Sequence, residues 1–341
     1  MSAEMIILAA GPALSVQDFG RTGYLAQGMT RGGAADTLAL REGAALLGQG
    51  HGQAALEMIG AGGTFEATQD IVIALTGGAM TASIDGAPVV WNASHILPAG
   101  AKLKIGGATS GNYSYLHLGG GIDTPVLMGA RAAHLNAGLG QPIKTGDRLP
   151  ILPGNAQTAG RVFAPDNRFD GGVIRIVPSM QTTCFSQATR ARFTATTFRR
   201  DPRANRMGVR MDQPEDGFFA DDVLSIVSEV IVPGDIQITG DGAPFVLMCE
   251  CQTTGGYPRI GTVIPCDLPR VAQAPAGAEI SFEFVTPEDA AKIELRARAE
   301  VASLSSRITA LVRDPHDIRD LLGYQLVGGA ISARADPYEA D

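Results

Sequence analysis

Residues 246–270 read VLMCECQTTGGYPRIGTVIPCDLPR. An apolar strand feeds straight into Gln252-Thr253-Thr254-Gly255-Gly256-Tyr257-Pro258. Two glycines allow close backbone approach, and Gln, Thr and Tyr offer directional hydrogen bonds. The bend is therefore either a cradle for a planar amide or ureido group, with Gln252, Thr253, Thr254, Gly255 and Gly256 as binding residues, or a hairpin loop around a buried Tyr257. Alternation puts Val246, Met248 and Glu250 on one face of the strand. Glu250 then either reaches the mouth of the bend, where a carboxylate takes a proton or orients an N–H, or pairs with Arg259 or Arg270. Asp267, at the CDLPR end of the phrase, joins the candidate binding residues.

The rest of the chain agrees with a strand-rich reading. Across 341 residues, 45% are hydrophobic and 18% charged, enough apolar side chain for a well-buried core. The 43 Gly and 20 Pro favour short strands and turns over long helices. Strand signals fall at Ile71–Leu75, Val89–Trp91, Leu103–Ile105 and Tyr113–Leu118, and Met5–Ala10 reads as a buried strand. One helix is expected over Ala34–Leu47, with Asp36 as its N-cap and Gly48 closing it. Another opens at Thr286 and runs through TPEDAAKIELRARAEVASLSSRITALVRD, ahead of a polar tail.

Two phrases recur in the same order. DGAP stands at 85–88 and 241–244, and PAGA at 98–101 and 275–278, each leading into an apolar or alternating run. The interval between them is longer in the second half, and the surplus contains the 252–270 stretch. Internal duplication follows as the expectation, with halves at residues 1–152 and 173–286, a Gly, Pro, Asn and Asp-rich linker at 153–172 and a C-terminal helix and tail at 287–341.

The charge pattern excludes some functions. The net charge is -8 and the basic residues are scattered, so no broad cationic face is offered to nucleic acid. The N-terminal apolar stretch lacks a basic flank, is broken by Gly11-Pro12 and is too short to span a membrane. Cys184, Cys249, Cys251 and Cys266 form no CxxC pair and have no nearby His, so no metal site is expected, and reduced thiols in the cytoplasm are the simplest reading. His117, on a half-buried strand, reads as a core residue.

Two further segments carry candidate chemistry. VQDFGRTG at 16–23 and GMTRGGAAD at 28–36 form a glycine-dense loop with Gln17, Asp18, Arg21 and Asp36 as side-chain partners; it either presents N–H groups to an anion or carbonyl or is a structural loop capping the next helix. Arg206, in Asn205-Arg206-Met207-Gly208, either holds a carboxylate bidentately or is solvated.

These phrases, together with ALE at 55–57, ALTG at 74–77 and GGGID at 119–123, resemble the biotin-dependent carboxyltransferase family, which includes allophanate hydrolase subunit 2 and the C subunit of 5-oxoprolinase. The resemblance runs in order from about residue 5 to residue 286. It implies a mainly β fold of duplicated cyclophilin-like barrel halves, a subunit 1 type partner sharing the active cleft, and either ATP-dependent opening of the 5-oxoproline lactam or carboxyl transfer from carboxybiotin to urea. Glu250 and Tyr257 are then the candidate proton acceptor or orienter, and Arg206 the anchor. No Met-Lys pair and no G-x-x-x-x-G-K-[ST] loop is present, so biotin is expected on another chain or domain and ATP through a partner. The family also implies a different class of role, a non-catalytic regulatory or binding subunit. Gly32-Gly33-Ala34-Ala35-Asp36 departs from the usual Ser-Gly-Ala-Met-Asp, Ala44 stands for a usual Asn, Gly129–Ala133 for a run richer in Ser and Thr, and Cys251 for Arg or Ala. The first-half loop thereby loses hydroxyl and amide partners.

Overall fold

The two halves of the chain solve the problem of pairing their strands differently. In the computed structural model, which describes residues 3–154, 159–212, 216–221 and 228–312, the first-half strands belong to a 13-stranded sheet whose path runs open from Thr309–Ala310 to Ala87–Pro88. At its centre Tyr113–Leu118 is buried along its whole length between Ile71–Gly77 and Ala55–Ile59. The second half closes on itself: Gly172–Val177, Arg259–Val263, Asp235–Ile238, Pro244–Leu247, Gly208–Asp212, Phe198–Arg200 and Glu279–Phe284 form a barrel. Closure leaves no free edge among these strands.

The recurring phrases do the same work in both halves. Each DGAP ends a hairpin, joining Met80–Ile84 to Ala87–Pro88 and Asp235–Ile238 to Pro244–Leu247. Each PAGA turns the chain into a strand, with Ala101 N–H donating to Pro98 O at 3.1 Å and Ala278 N–H to Pro275 O at 3.0 Å. The glycines there, Gly100 and Gly277, hold φ of 76° and 80°, a region open to Gly at no steric cost.

Helices are few. α1 (Thr37–Leu47) starts where Asp36 Oδ1 accepts from the Leu38 and Ala39 N–H groups and stops at Gly48 in the left-handed region, as the sequence leads one to expect. α2 (Gln187–Ala195) carries Phe193 into the barrel, where it stacks on Phe282 with ring centroids 5.1 Å apart. α3 (Leu268–Gln273) follows the Pro265–Asp267 turn. α4 (Pro287–Ala302) is capped by Thr286, whose side chain accepts from Asp289 N–H.

Several local expectations need correction. Val89–Trp91 is not a strand; the ladder gives one last bond, Val89 N–H to Ala82 O at 3.0 Å, and the next strand starts at Ala93, beyond Asn92 at positive φ. The strand at Glu4–Ala10 is half-buried: Met5 and Ile7 face the core while Leu8 is 36% exposed. α4 stops at Ala302 because the serines that follow compete for backbone groups, Ser303 Oγ with Glu300 O and Ser306 Oγ with Ser303 O. The segment expected as linker contributes Arg161–Val162 to the sheet and buries Phe163, Arg168 and Phe169; residues 155–158 of it, and the tail from residue 313, lie outside the described residues. His117 is a core residue, its Nε2 2.7 Å from Thr76 Oγ1, and burial pushes its pKa down to about 3.

One apolar cluster crosses the seam, joining Ala34, Ala35, Leu40, Tyr113 and Tyr115 to Ile174, Phe185, Val246 and Ile260. Polar contacts key the seam. Arg168 donates to Asp36 Oδ2 at 2.8 Å and bidentately to Glu42 at 2.9 and 2.6 Å. Gln273 Nε2 donates to the same Asp36 oxygen at 2.8 Å and to Tyr113 O at 2.7 Å, while its Oε1 accepts from Asn112 and Tyr113 N–H. Removing the guanidinium strands two buried carboxylates, so Arg168→Met is expected to cost about 3–5 kcal/mol in urea unfolding. A loss under about 1 kcal/mol would show that this contact does not hold the halves together.

Candidate active site at the seam

Beneath the Gln252 bend lies a buried charge cluster built by three separate parts of the chain. Glu57 sits in the strand Ala55–Ile59 and is fully buried. Its Oε2 accepts from the Tyr115 hydroxyl at 2.7 Å and from Ala35 N–H at 2.9 Å, and its Oε1 accepts from Arg206 Nη1. Arg206 also donates through Nε to Glu250 Oε1 at 2.7 Å and through Nη2 to Gly33 O at 2.5 Å. Burial opposes the charge on Arg206, but Cys249, Glu57 and Glu250 outweigh it and raise the pKa well above the ordinary guanidinium value. Burial, reinforced by Glu57, likewise keeps the Tyr115 hydroxyl protonated.

This geometry redefines two of the candidate residues. All three guanidinium nitrogens of Arg206 have protein partners, so the residue is neither solvated nor free to grip a guest carboxylate. Glu250 pairs with Arg206 rather than Arg259 or Arg270. The strand ends at Leu247, and the turn that follows, with Cys251 N–H bonded to Met248 O at 3.1 Å, folds Glu250 inward instead of carrying it to the mouth of the bend.

The bend itself faces outward. Thr254–Gly255 pairs with Glu229–Val230 in a short ribbon, and Thr253 O accepts from Ile231 N–H at 3.0 Å. Tyr257 is 49% exposed, so it is not the buried tyrosine of a plain hairpin. Among the described residues the side chains of Gln252, Thr253, Thr254 and Tyr257 take no partner, which leaves their donors and acceptors available. The bend lines neither the cleft beside α4 nor the one beside α2.

The first-half loop is mostly committed to its own architecture. Asp18 accepts from Gly20 and Arg131 N–H at 2.7 and 2.6 Å; Gln17 Nε2 bonds Ser15 Oγ and Ala133 O; Arg21 donates to Leu127 O and Ala132 O at 2.9 and 2.6 Å. Asp36 is a fully buried N-cap. Two atoms, Gln17 Oε1 and Arg21 Nη1, are buried without a partner among the described residues.

Asp267 is elsewhere. It is held by Arg175 through Nε at 2.9 Å and Nη2 at 2.5 Å, and it lines a polar cleft of about 840 Å³ between α1, α3 and α4. Glu42, on the wall of that cleft, has its pKa raised to about 7 by burial, against the pull of Arg168 and with Asp36 and Asp166 close by.

Sequence reasoning passed over Glu57, Tyr115, Thr30 and His134. Glu57 gave a signal, a lone carboxylate inside the otherwise apolar ALEMI strand. Thr30 and His134 gave none, since their meeting depends on three loops converging. Among the described residues no group of three or more His, Cys, Asp or Glu is placed to hold a metal, and no described helix is long and apolar enough to cross a membrane.

The family model for the carboxyltransferase domain, subdomains A and B, matches residues 27–284. This chain belongs to the carboxyltransferase-domain family. Its relatives include the C subunit of 5-oxoprolinase from Escherichia coli strain K12, 34% identical over 84% of this chain and 93% of the relative, and that of Haemophilus influenzae, 32% identical over 86% and 95%. The solved structure of TTHA0988 is similar with a TM-score of 0.75 at 27% identity over 83% of this chain, which spans 56% of that longer one. The Kluyveromyces lactis urea amidolyase shares the fold, with a TM-score of 0.79 at 23% identity over 92% of this chain and 21% of its own. As a member of the family the chain is an enzyme domain of the type shared by the carboxyltransferases and the 5-oxoprolinase C subunit.

The Glu42 proton gives the cleft a pH signature. Its folded-state pKa of about 7 exceeds the ordinary 4.5, so the folded chain binds this proton more tightly than the unfolded one. The resulting stability is full below the ordinary value and is lost as pH rises toward 7. Urea unfolding across that window should show wild type losing about 2–3 kcal/mol relative to Glu42→Gln; a difference that stays flat with pH would refute the shift.

Proposed function

We propose that this chain is one subunit of an enzyme that processes a small amide, with ATP-dependent opening of the 5-oxoproline lactam as the leading reading. The observation that carries it is the match to the 5-oxoprolinase C subunits along 84% and 86% of this chain and 93% and 95% of theirs. Carboxyl transfer to urea is the second reading, favoured by 26% identity to Saccharomyces cerevisiae urea amidolyase over 87% of this chain, though this chain spans only 17% of that protein. A regulatory subunit is the alternative outcome of the test below. The catalytic readings share a subunit 1 type partner and a site in the cytoplasm, in keeping with four unpaired thiols.

In this reading the bend receives the flat polar guest. The free side chains of Gln252, Thr253, Thr254 and Tyr257 converge on one exposed turn with Gly255 and Gly256, and donors aimed at a carbonyl oxygen that gains charge are worth on the order of 3 kcal/mol each in other enzymes. A biotin ureido group fits the same donor set; carboxybiotin, carried by another chain or domain, would supply the carboxyl group. With no G-x-x-x-x-G-K-[ST] loop in the sequence, this reading assigns ATP to the partner. Arg206, Glu57 and Glu250 form the floor that holds the bend, and Gln17, Asp18, Arg21 and Asp36 shape the loop beside it. Asp267 lines a separate cleft.

The same reading includes duplication into cyclophilin-like halves, residues 1–152 and 173–286, joined by 153–172 and followed by 287–341. It is supported by the two DGAP hairpins and by the two PAGA turns, in which Gly100 N–H donates to the end of one strand at Ala67 O and Gly277 N–H to the end of another at Arg200 O.

Co-expression with a subunit 1 type homologue, followed by assays of 5-oxoproline-dependent ATP hydrolysis and, with carboxybiotin supplied as the carboxyl donor, of urea carboxylation, tests the proposal. Turnover is expected in the first. Gln252→Ala and Tyr257→Phe should each lower kcat roughly tenfold or more while leaving thermal unfolding unchanged. Wild-type rates in both variants would remove the bend from the mechanism, and no turnover in either assay would favour the regulatory role.

A further inference from the structure

The bend is exposed, yet it leaves the body of the protein from a fixed point. Cys251, immediately before Gln252, is buried, and its carbonyl oxygen accepts from Thr30 Oγ1 at 2.9 Å. Thr30 Oγ1 in turn lies 3.1 Å from His134 Nε2. Because the hydroxyl proton is given to the Cys251 carbonyl, Nε2–H must be the donor to Thr30. Nδ1 is then the acceptor, and Ala137 N–H reaches it at 3.3 Å. The hydrogen bonds on both sides thus select one tautomer.

This chain of bonds is buried. Thr30 is 2% exposed and His134 4%. A Cβ on Gly32 would lie 2.9 Å from the imidazole ring, so the ring sits close over the loop where only glycine leaves space for it, and Gly32 N–H itself donates to Cys249 O at 3.0 Å. The charged groups facing the ring are Glu250, whose Oε2 is 4.0 Å from Nδ1, with Arg206 and Arg21. Burial outweighs Glu250 and lowers the imidazole pKa, which favours the neutral tautomer drawn above.

We infer that Thr30 and His134 form a strut that sets where the Gln252–Tyr257 bend begins. His134 is a positioning residue: it acts through Thr30 on the Cys251 carbonyl and does not touch the guest. The strut links three loops, 28–36, 130–140 and 249–257, so the bend's donors are aimed by residues from the other half of the chain. The inference rests on the bend being the guest site, as proposed above.

The experiment separates the two ideas by reading the bend both with and without chemistry. Thr30→Val keeps the shape and removes the hydroxyl; His134→Ala removes the donor; His134→Gln returns an N–H donor of similar reach. Amide hydrogen exchange is followed in the isolated chain at residues 251–257 and in the flanking strands Pro244–Leu247 and Arg259–Val263, and kcat and KM are measured in the complex with the subunit 1 type partner. Thr30→Val and His134→Ala should each speed exchange at the bend about tenfold with the strands unchanged, and lower kcat about tenfold while KM moves less than about twofold. His134→Gln should restore both, and the Thr30→Val, His134→Ala double variant should be no worse than Thr30→Val alone. Unchanged exchange at the bend, or exchange rising equally in the strands, would overturn the strut. Local loosening with full turnover would leave the strut standing and overturn the bend's part in catalysis.

Discussion

The ion cluster of Glu57, Arg206 and Glu250 is the constraint on which the rest of the molecule turns. Taking three charges out of water costs several kcal/mol per ion, and their attraction compensates only when every remaining lone pair and proton is also matched. For two of them the matching is close: Tyr115 and Ala35 add to Glu57, Gly33 takes the third guanidinium nitrogen of Arg206, and Glu250 is held through Oε1 by Arg206. Each of the three charges comes from a different segment, and Glu57 comes from the opposite half of the chain. A partly assembled cluster would be worse than an apolar one. The first-half strand, the Asn205–Gly208 turn and the turn after Leu247 are therefore obliged to form together.

Asp36 extends the same logic along the seam. One carboxylate caps α1 through Oδ1 and receives Arg168 and Gln273 on Oδ2. A residue that reads locally as an ordinary helix cap is also the point where the linker segment and the end of α3 are tied to the first half. Helix register, linker path and barrel position are thus coupled through one side chain. This coupling explains why residues 159–172, for all their Gly, Pro and Asn, behave as packed structure with Phe163, Arg168 and Phe169 buried.

Much of the fold was legible in the sequence because it is written in local signals. Asp36 and Thr286 as caps, Gly48 as a stop, and the DGAP and PAGA turns depend only on neighbours, and each appears where its chemistry places it. The closed path of the second half and the open path of the first depend on long-range pairing that no short phrase encodes. The site divides in the same way. The bend could be found from Gln252 to Tyr257 alone, but the partner of Arg206 could not, since Glu57 lies 149 residues away in sequence. Periodicity carried Glu250 along an ideal strand to the mouth of the bend, on the face of Val246 and Met248. The real strand stops at Leu247, and the turn that follows folds that side chain inward onto Arg206.

Position and polarity also bear on why such a bend would belong to one subunit of a larger enzyme. Its free side chains face solvent, where water competes for every donor and the effective dielectric is high, so a hydrogen bond to a guest adds little. The same donors become strongly stabilising only when water is excluded and their geometry is already fixed, because then nothing has to reorganise as charge develops on the guest. Fixed geometry is what the buried cluster and the Thr30–His134 pair contribute from below. Exclusion of water has to come from above, and among the described residues nothing from this chain covers the bend. On the proposed reading, a covering surface from a second subunit would supply the missing half of that requirement, which is the physical case for a shared cleft over a self-contained one.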